Sequence, residues 1–77
     1  MWLQKVKIYP NPTTNMLYIE GMGLRRLDLY DDRGIVVLSK TLQGENAKVD
    51  ISAISSGSYM VKITTTVDEY TELLIKN

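Results

Sequence analysis

The sequence predicts a small all-β domain, a sandwich or barrel, and three observations carry that reading. Short runs of alternating apolar and polar residues recur about every ten residues, the rhythm of strands in such folds. Turn-forming residues separate the runs. No window shows apolar residues at three- and four-residue spacing over three helical turns, so helix signals are weak. The chain has 77 residues, enough for one domain, and a domain of this size is stable by only a few kcal/mol.

Seven strands are expected. Lys5 to Tyr9 alternates Val6 and Ile8 with lysines. Tyr9-Pro10-Asn11-Pro12-Thr13 then forms a stiff loop. Its prolines remove two backbone donors and fix two φ angles, which bars it from a central strand. Tyr9 and Asn11 each precede a proline and are pushed toward extended geometry. Met16 to Glu20 sets Leu17 and Ile19 on one face, and Gly21-Met22-Gly23 follows as a flexible loop. Arg26 to Tyr30 does the same with Leu27 and Leu29. Asp31-Asp32-Arg33-Gly34 reads as a tight hairpin with Gly34 at a positive φ. Ile35 to Leu42 opens with the apolar run Ile35-Val36-Val37-Leu38, which predicts cover on both faces. Gln43-Gly44-Glu45-Asn46 reads as another hairpin loop, and Lys48 to Ile51 carries Val49 and Ile51. The link from Ile51 to Gly57 is the longest and has room for one helical turn, with Ile54 plugging the core. Ser58 to Thr65 places Tyr59, Val61 and Ile63 on one face and Met60, Lys62 and Thr64 on the other. Glu69 to Lys76 closes the chain, its core face left open among Leu73, Leu74 and Ile75.

Composition narrows the function. Without cysteine no disulfide supports the fold. Without histidine the commonest general base and metal ligand are missing. Ser52, Ser55 and Ser56 therefore lack the usual activating base, and no G-x-S-x-G pattern surrounds them. Asp31 and Asp32, with no further acidic pattern, make a poor calcium loop. Lys plus Arg and Asp plus Glu each total 9, and a neutral chain has no electrostatic footprint for nucleic acid or an anionic membrane. The longest apolar runs are too short to span a bilayer. Met1-Trp2-Leu3-Gln4 has neither a charged start nor a long apolar region, so no signal peptide is read from it. Residues 1–4 are expected to be a linker or leftover start, with Trp2 packing loosely, and residues 5–77 a single domain. The five tyrosines (9, 18, 30, 59 and 70) fall on different strands, which gives no coplanar sugar platform. These residues describe a domain that is recognised, not one that catalyses. No catalytic residue, metal, cofactor or small-molecule substrate is expected.

Four blocks, in order, resemble one known family and cover nearly the whole chain from Val6 onward. They are Tyr9-Pro10-Asn11-Pro12-Thr13 with Leu17-Tyr18-Ile19; Leu29-Tyr30-Asp31-Asp32-Arg33-Gly34 with Val36-Val37; Val49-Asp50-Ile51-Ser52 with Ser56-Gly57-Ser58-Tyr59-Met60-Val61-Lys62-Ile63; and Leu74-Ile75-Lys76-Asn77. Together they resemble the type A C-terminal sorting domain of type IX secretion cargo, also called the Por secretion system tail. The resemblance implies an immunoglobulin-like antiparallel β-sandwich of about seven strands, fused to an upstream cargo domain. It implies a passage through the periplasm of a Gram-negative bacterium, recognition by the type IX translocon, and export to the cell surface or medium. Removal by a sortase is implied as the last step.

The resemblance makes Pro10, Asn11, Pro12, Gly34, Gly57, Tyr59, Lys62 and Lys76 the candidate translocon-recognition residues. For Tyr59 the core-filling role, with its hydroxyl at the rim, is favoured over a contact, and Lys62 is expected to face solvent. There are departures from the family pattern. Its glycine–arginine pair appears here as Gly34-Ile35 with Arg33 ahead of the glycine, and Leu73 stands where a basic residue is common. Only Lys76 is left of a terminal basic cluster. A second reading is a stand-alone immunoglobulin-like binding or adhesion module with carbohydrate as its ligand. Open sandwich edges also predict a weak homodimer, with the last strand as the expected participant.

Overall fold

A computed structural model describes residues 6–77; the expectations for residues 1–4 and Lys5 lie outside the described residues. Among these residues the chain forms seven strands and no helix. They are β1 (Lys7–Tyr9), β2 (Met16–Glu20), β3 (Leu24–Tyr30), β4 (Val36–Thr41), β5 (Asn46–Asp50), β6 (Gly57–Thr65) and β7 (Glu69–Lys76). They pair antiparallel into a three-stranded sheet ordered β1-β2-β5 and a four-stranded sheet ordered β4-β3-β6-β7. The two sheets make the expected sandwich.

Side-chain alternation explains the layering. Leu17 and Ile19 of β2, Leu27 and Leu29 of β3, and Val61 and Ile63 of β6 are fully buried between the sheets. Their neighbours Tyr18, Met60 and Lys62 point to the outer faces, as the period of two requires. Val6, Ile8, Leu24, Leu42, Val49, Ile51, Tyr59 and Leu74 complete one continuous core. Each fully buried Leu, Ile or Val contributes about 1.5–3 kcal/mol relative to an exposed one. The open question on β7 has a clear answer: Leu74 points into the core with no exposed surface, whereas Leu73 is 56% exposed.

Two expectations change. The run from Ile35 to Leu38 is not covered on both faces, since Ile35, Val36 and Val37 are all exposed and only Leu38 packs on the core. The reason is position: β4 is the sheet's edge strand, paired with β3 alone, and its register slips at Leu29/Tyr30. Nor is Gln43–Asn46 a hairpin. It crosses from β4 in one sheet to β5 in the other, as Gly21–Gly23 crosses from β2 to β3. The two corners lie side by side and bond each other, with Gly21 N–H donating to Glu45 O (2.9 Å) and Leu24 N–H to Gly44 O (3.0 Å). A turn signature therefore served a sheet crossing, which local sequence does not distinguish from a hairpin. The Ile51–Gly57 link carries one hydrogen-bonded turn, Ile54 N–H to Ile51 O at 3.2 Å, and Ile54 packs half-buried against the core.

Candidate functional site

The first and last motif blocks meet. Asn11 sits between two cis prolyl bonds in the loop after β1, and its carboxamide reaches β7. Its Nδ2 donates to Leu73 O (2.8 Å) and to Glu72 Oε2 (3.1 Å), while its Oδ1 accepts from Ile75 N–H (3.1 Å). Two residues on, Thr13 N–H donates to Ile75 O (2.9 Å), and Asn77 N–H donates to Thr13 O (2.8 Å). That gives a one-residue parallel bridge between Thr13 and Lys76. Thr13 is almost wholly buried, and its hydroxyl donates to Met16 O at 2.8 Å, which ties the loop back to β2.

Pairing along β6–β7 brings further candidates to the same end. Gly57 lies opposite Lys76 and Tyr59 opposite Leu74. Gly57 has a φ of 152°, a region that a side chain rarely adopts. Tyr59 fills the core, and its hydroxyl donates to Ser55 O at 2.6 Å. Lys76 is buried, with its ammonium donating to Asn77 O at 3.3 Å, so it displays no positive patch at the terminus. The β3–β4 turn is adjacent: Asp31 and Asp32 border a hollow of about 240 Å³ with Ser58, Tyr59, Met60 and Leu73. Gly34 closes that turn at φ 82°, its N–H donating to Asp31 O at 3.0 Å. The Asp31 carboxylate accepts from the amides of Ile35 and Arg33 and from the Arg33 guanidinium. Those two amides, and then Arg33, hold its pKa below the ordinary carboxylate value. The carboxylate is thus committed to the turn, and among the described residues no group of three or more acidic side chains is placed to hold a metal ion.

Lys62 stands apart from this end. It lies on the outer face, as alternation predicts, but it is only half-exposed. Its ammonium rests 5.9 Å from the Tyr30 ring centroid and 3.9 Å from Glu69 Oε2. Solvent-facing is therefore too simple a description: the stem of a long lysine covers its neighbours while the charge finds partners. Beside it is a cluster that the sequence did not flag. Asp28 is buried on this outer face and accepts from Arg26 Nε (3.1 Å) and from the Ser39 hydroxyl. Burial pushes its pKa up, but the Ser39 and Arg26 hydrogen bonds and the charges of Arg26 and Lys62 outweigh burial, and the net shift is downward. An aspartate in a strand gives no sequence signal that groups from its own strand and both neighbouring strands will surround it.

Two surface features complete the inventory. Register aligns Val36, Tyr30, Met60 and Leu73 in one row across all four strands of the larger sheet; Val36, Met60 and Leu73 are exposed and Tyr30 half-buried. This row runs to the Asn11-bonded part of β7. On the other sheet, neighbouring strands bring Tyr9 and Tyr18 into a stack, with centroids 5.7 Å apart and planes 21° from parallel. The Tyr9 hydroxyl donates to Glu20, which raises its pKa. The rings face each other and do not form one open plane, so the pair is not the broad platform that sugar binding favours.

No solved structure matches the chain. β-Agarase D of Zobellia galactanivorans is 30% identical to it over 66 residues, which is 86% of this chain and 13% of that protein. The chain thus spans a small part of the curated relative it matches. The model of the secretion system C-terminal sorting domain family, the Por secretion tail, matches residues 7–77. That span takes in all seven strands and every motif block from Tyr9 to Asn77, and the chain belongs to this family of type IX secretion sorting signals.

Proposed function

We propose that this domain delivers a larger upstream cargo from the periplasm to the type IX translocon. The translocon reads the end of the sandwich where the Pro10–Thr13 loop, the start of β6 and the end of β7 converge. A sortase then separates the domain from the cargo at the cell surface. The observation that carries this reading is the convergence itself. Family motif blocks more than sixty residues apart, from Asn11 to Ile75, are joined by direct hydrogen bonds. The apolar row ending at Leu73 adjoins that end and offers a surface of protein-interface character. A sorting-signal domain has no catalytic role of its own, and the chain lacks histidine and cysteine, the commonest base and the most nucleophilic side chain,. The cargo's activity belongs to the upstream chain; the relative that shares this segment over 13% of its length is named as an agarase. Between a sorting domain and a stand-alone adhesion module, the family match over residues 7–77 favours the first.

The test is a fusion of the 77-residue chain to the C-terminus of a reporter carrying an ordinary signal peptide, in a host with the type IX system. Reporter in the medium or on the surface is expected. Reporter held in the periplasm overturns the reading, and cleavage at the fusion boundary reports separately on the sortase step.

A further inference from the structure

We propose that Asn11 is a positioning residue of the sorting signal: its carboxamide acts as a substitute strand partner that holds the end of β7 in place for recognition. The inference rests on the sorting reading above and assigns the Pro-Asn-Pro loop a task that reading leaves open.

The edge of the larger sheet carries backbone groups that need partners. β7 is its outer strand, paired on one side with β6. Along an antiparallel edge, alternate residues point both N–H and C=O outward, unpaired. On β7 these are Leu73 and Ile75, as the atoms bonded to the loop show. A neighbouring strand would fill this row. The loop cannot act as an ordinary strand there, because Pro10 and Pro12 have no N–H to donate. A carboxamide is a peptide group in miniature, with a donor and an acceptor side by side. Asn11 uses both, giving its N–H to Leu73 O and its oxygen to Ile75 N–H. Thr13 continues the ladder with its own backbone, to Ile75 O and from Asn77 N–H. Leu73 O, Ile75 N–H and O, and Asn77 N–H are all satisfied in this way, and the strand's last residues gain a partner on their open side.

The contacts are specific to the strand's end. Asn11 is exposed, and it packs nothing into the core. Its effect on the whole fold is therefore small beside its effect on residues 73–77. The last four of those residues make up the family's closing block, Leu74-Ile75-Lys76-Asn77. A residue whose carboxamide is spent on these contacts acts on recognition through them.

Hydrogen exchange on the full 77-residue chain and export of the same reporter fusion test this together. Asn11→Ala is expected to speed exchange of the Ile75 amide roughly tenfold, from loss of its acceptor. It should leave the central amides of β3 and β6 unchanged and cut export several-fold. Asn11→Asp loses the donor to Leu73 and sets a carboxylate oxygen against both Leu73 O and the Glu72 carboxylate, so like-charge repulsion should leave it no better than alanine in both measurements. Unchanged Ile75 exchange in Asn11→Ala overturns the strand-partner role. Faster Ile75 exchange with full export overturns the link to recognition. Export that falls only in step with global unfolding, read from the β3 and β6 amides, also overturns it, because Asn11 would then be one more stabilising residue. If the wild-type fusion is not exported, the sorting reading fails and takes the recognition role with it, while the exchange data still report on the Asn11–β7 contact.

Discussion

The sheet-crossing corner at Gly23 offers a sharp test of how tightly this small frame is built. Gly23 has φ 64°, and a Cβ added there would lie 2.6 Å from Thr66 Oγ1 and 3.2 Å from Thr66 Cγ2. Thr66 is not free to withdraw, because its N–H donates to Gly23 O at 2.9 Å. Rotation about χ1 removes one of the two crowding atoms and leaves the other, since hydrogen replaces only one of them. Gly23→Ala therefore carries three terms. The left-handed backbone costs about 1–2 kcal/mol. Displacing the Thr66 side chain from its rotamer costs about 1 kcal/mol. Reduced freedom of the unfolded chain returns about 0.4–1 kcal/mol. The net is about 2 kcal/mol of destabilisation. Gly44→Ala is the control, because φ is 77° there and nothing lies within 4 Å of an added Cβ. It should cost about 1 kcal/mol or less by the same backbone terms. In urea, with a slope of about 1 kcal/mol/M for so small a domain, the midpoint should fall by about 2 M for Gly23→Ala and half that or less for Gly44→Ala. Thr66→Ala should be nearly silent alone and should recover about 1 kcal/mol in the Gly23→Ala background, a coupling that a double-mutant cycle measures. Equal losses at Gly23 and Gly44, or no recovery by Thr66→Ala, would refute the close approach of Gly23 and Thr66.

Two further outcomes follow from the same physics. Asp28 has its pKa lowered in the fold, so its ionised form contributes stability that is present above the unfolded value near 4 and lost as pH falls through the lower folded value. The urea midpoint should hold from pH 7 to 5 and decline below about 4. Asp28→Asn should flatten part of that decline, with Asp31 and Asp50, whose pKa values are also lowered, supplying the rest; an unchanged acid profile in the variant would remove Asp28 from the account. On β7, Leu74→Ala should cost about 2–5 kcal/mol and leave much of the chain unfolded by circular dichroism, whereas Leu73→Ala should stay within about 0.5 kcal/mol. The reverse order would mean that the strand faces the other way.

What the sequence disclosed, and what it withheld, divides along the reach of each interaction. Strand existence was legible because alternation is local: Leu17 and Ile19, or Tyr59, Val61 and Ile63, declare their face within a few residues. The Asp31–Gly34 turn was legible for the same reason, since its hydrogen bonds close within five residues. Which sheet a strand joins was not. Gln43–Asn46 has hairpin chemistry and makes a crossing, because the choice of partner rests on β2 and β3, some twenty residues back. Ile35–Leu38 looked doubly covered because an apolar run does not say whether a neighbour exists to cover it. Asn11 is the extreme case. Its prolines announced a stiff loop that belongs beside a sheet edge, but not which edge, and its partners lie 61 to 64 residues away. Of the eight candidate residues, Pro10, Asn11, Pro12, Gly57, Tyr59 and Lys76 converge at the end of β7, Gly34 sits in the β3–β4 turn, and Lys62 lies beyond that end with Tyr30 and Glu69. The buried sides of Tyr59 and Lys76 make them poor surfaces to read and good ones to build with. On the reading proposed above, the signal is carried less by displayed letters than by a strand terminus held in one shape. Substitutions that loosen residues 73–77 should therefore weigh more on export than substitutions that alter exposed charge nearby.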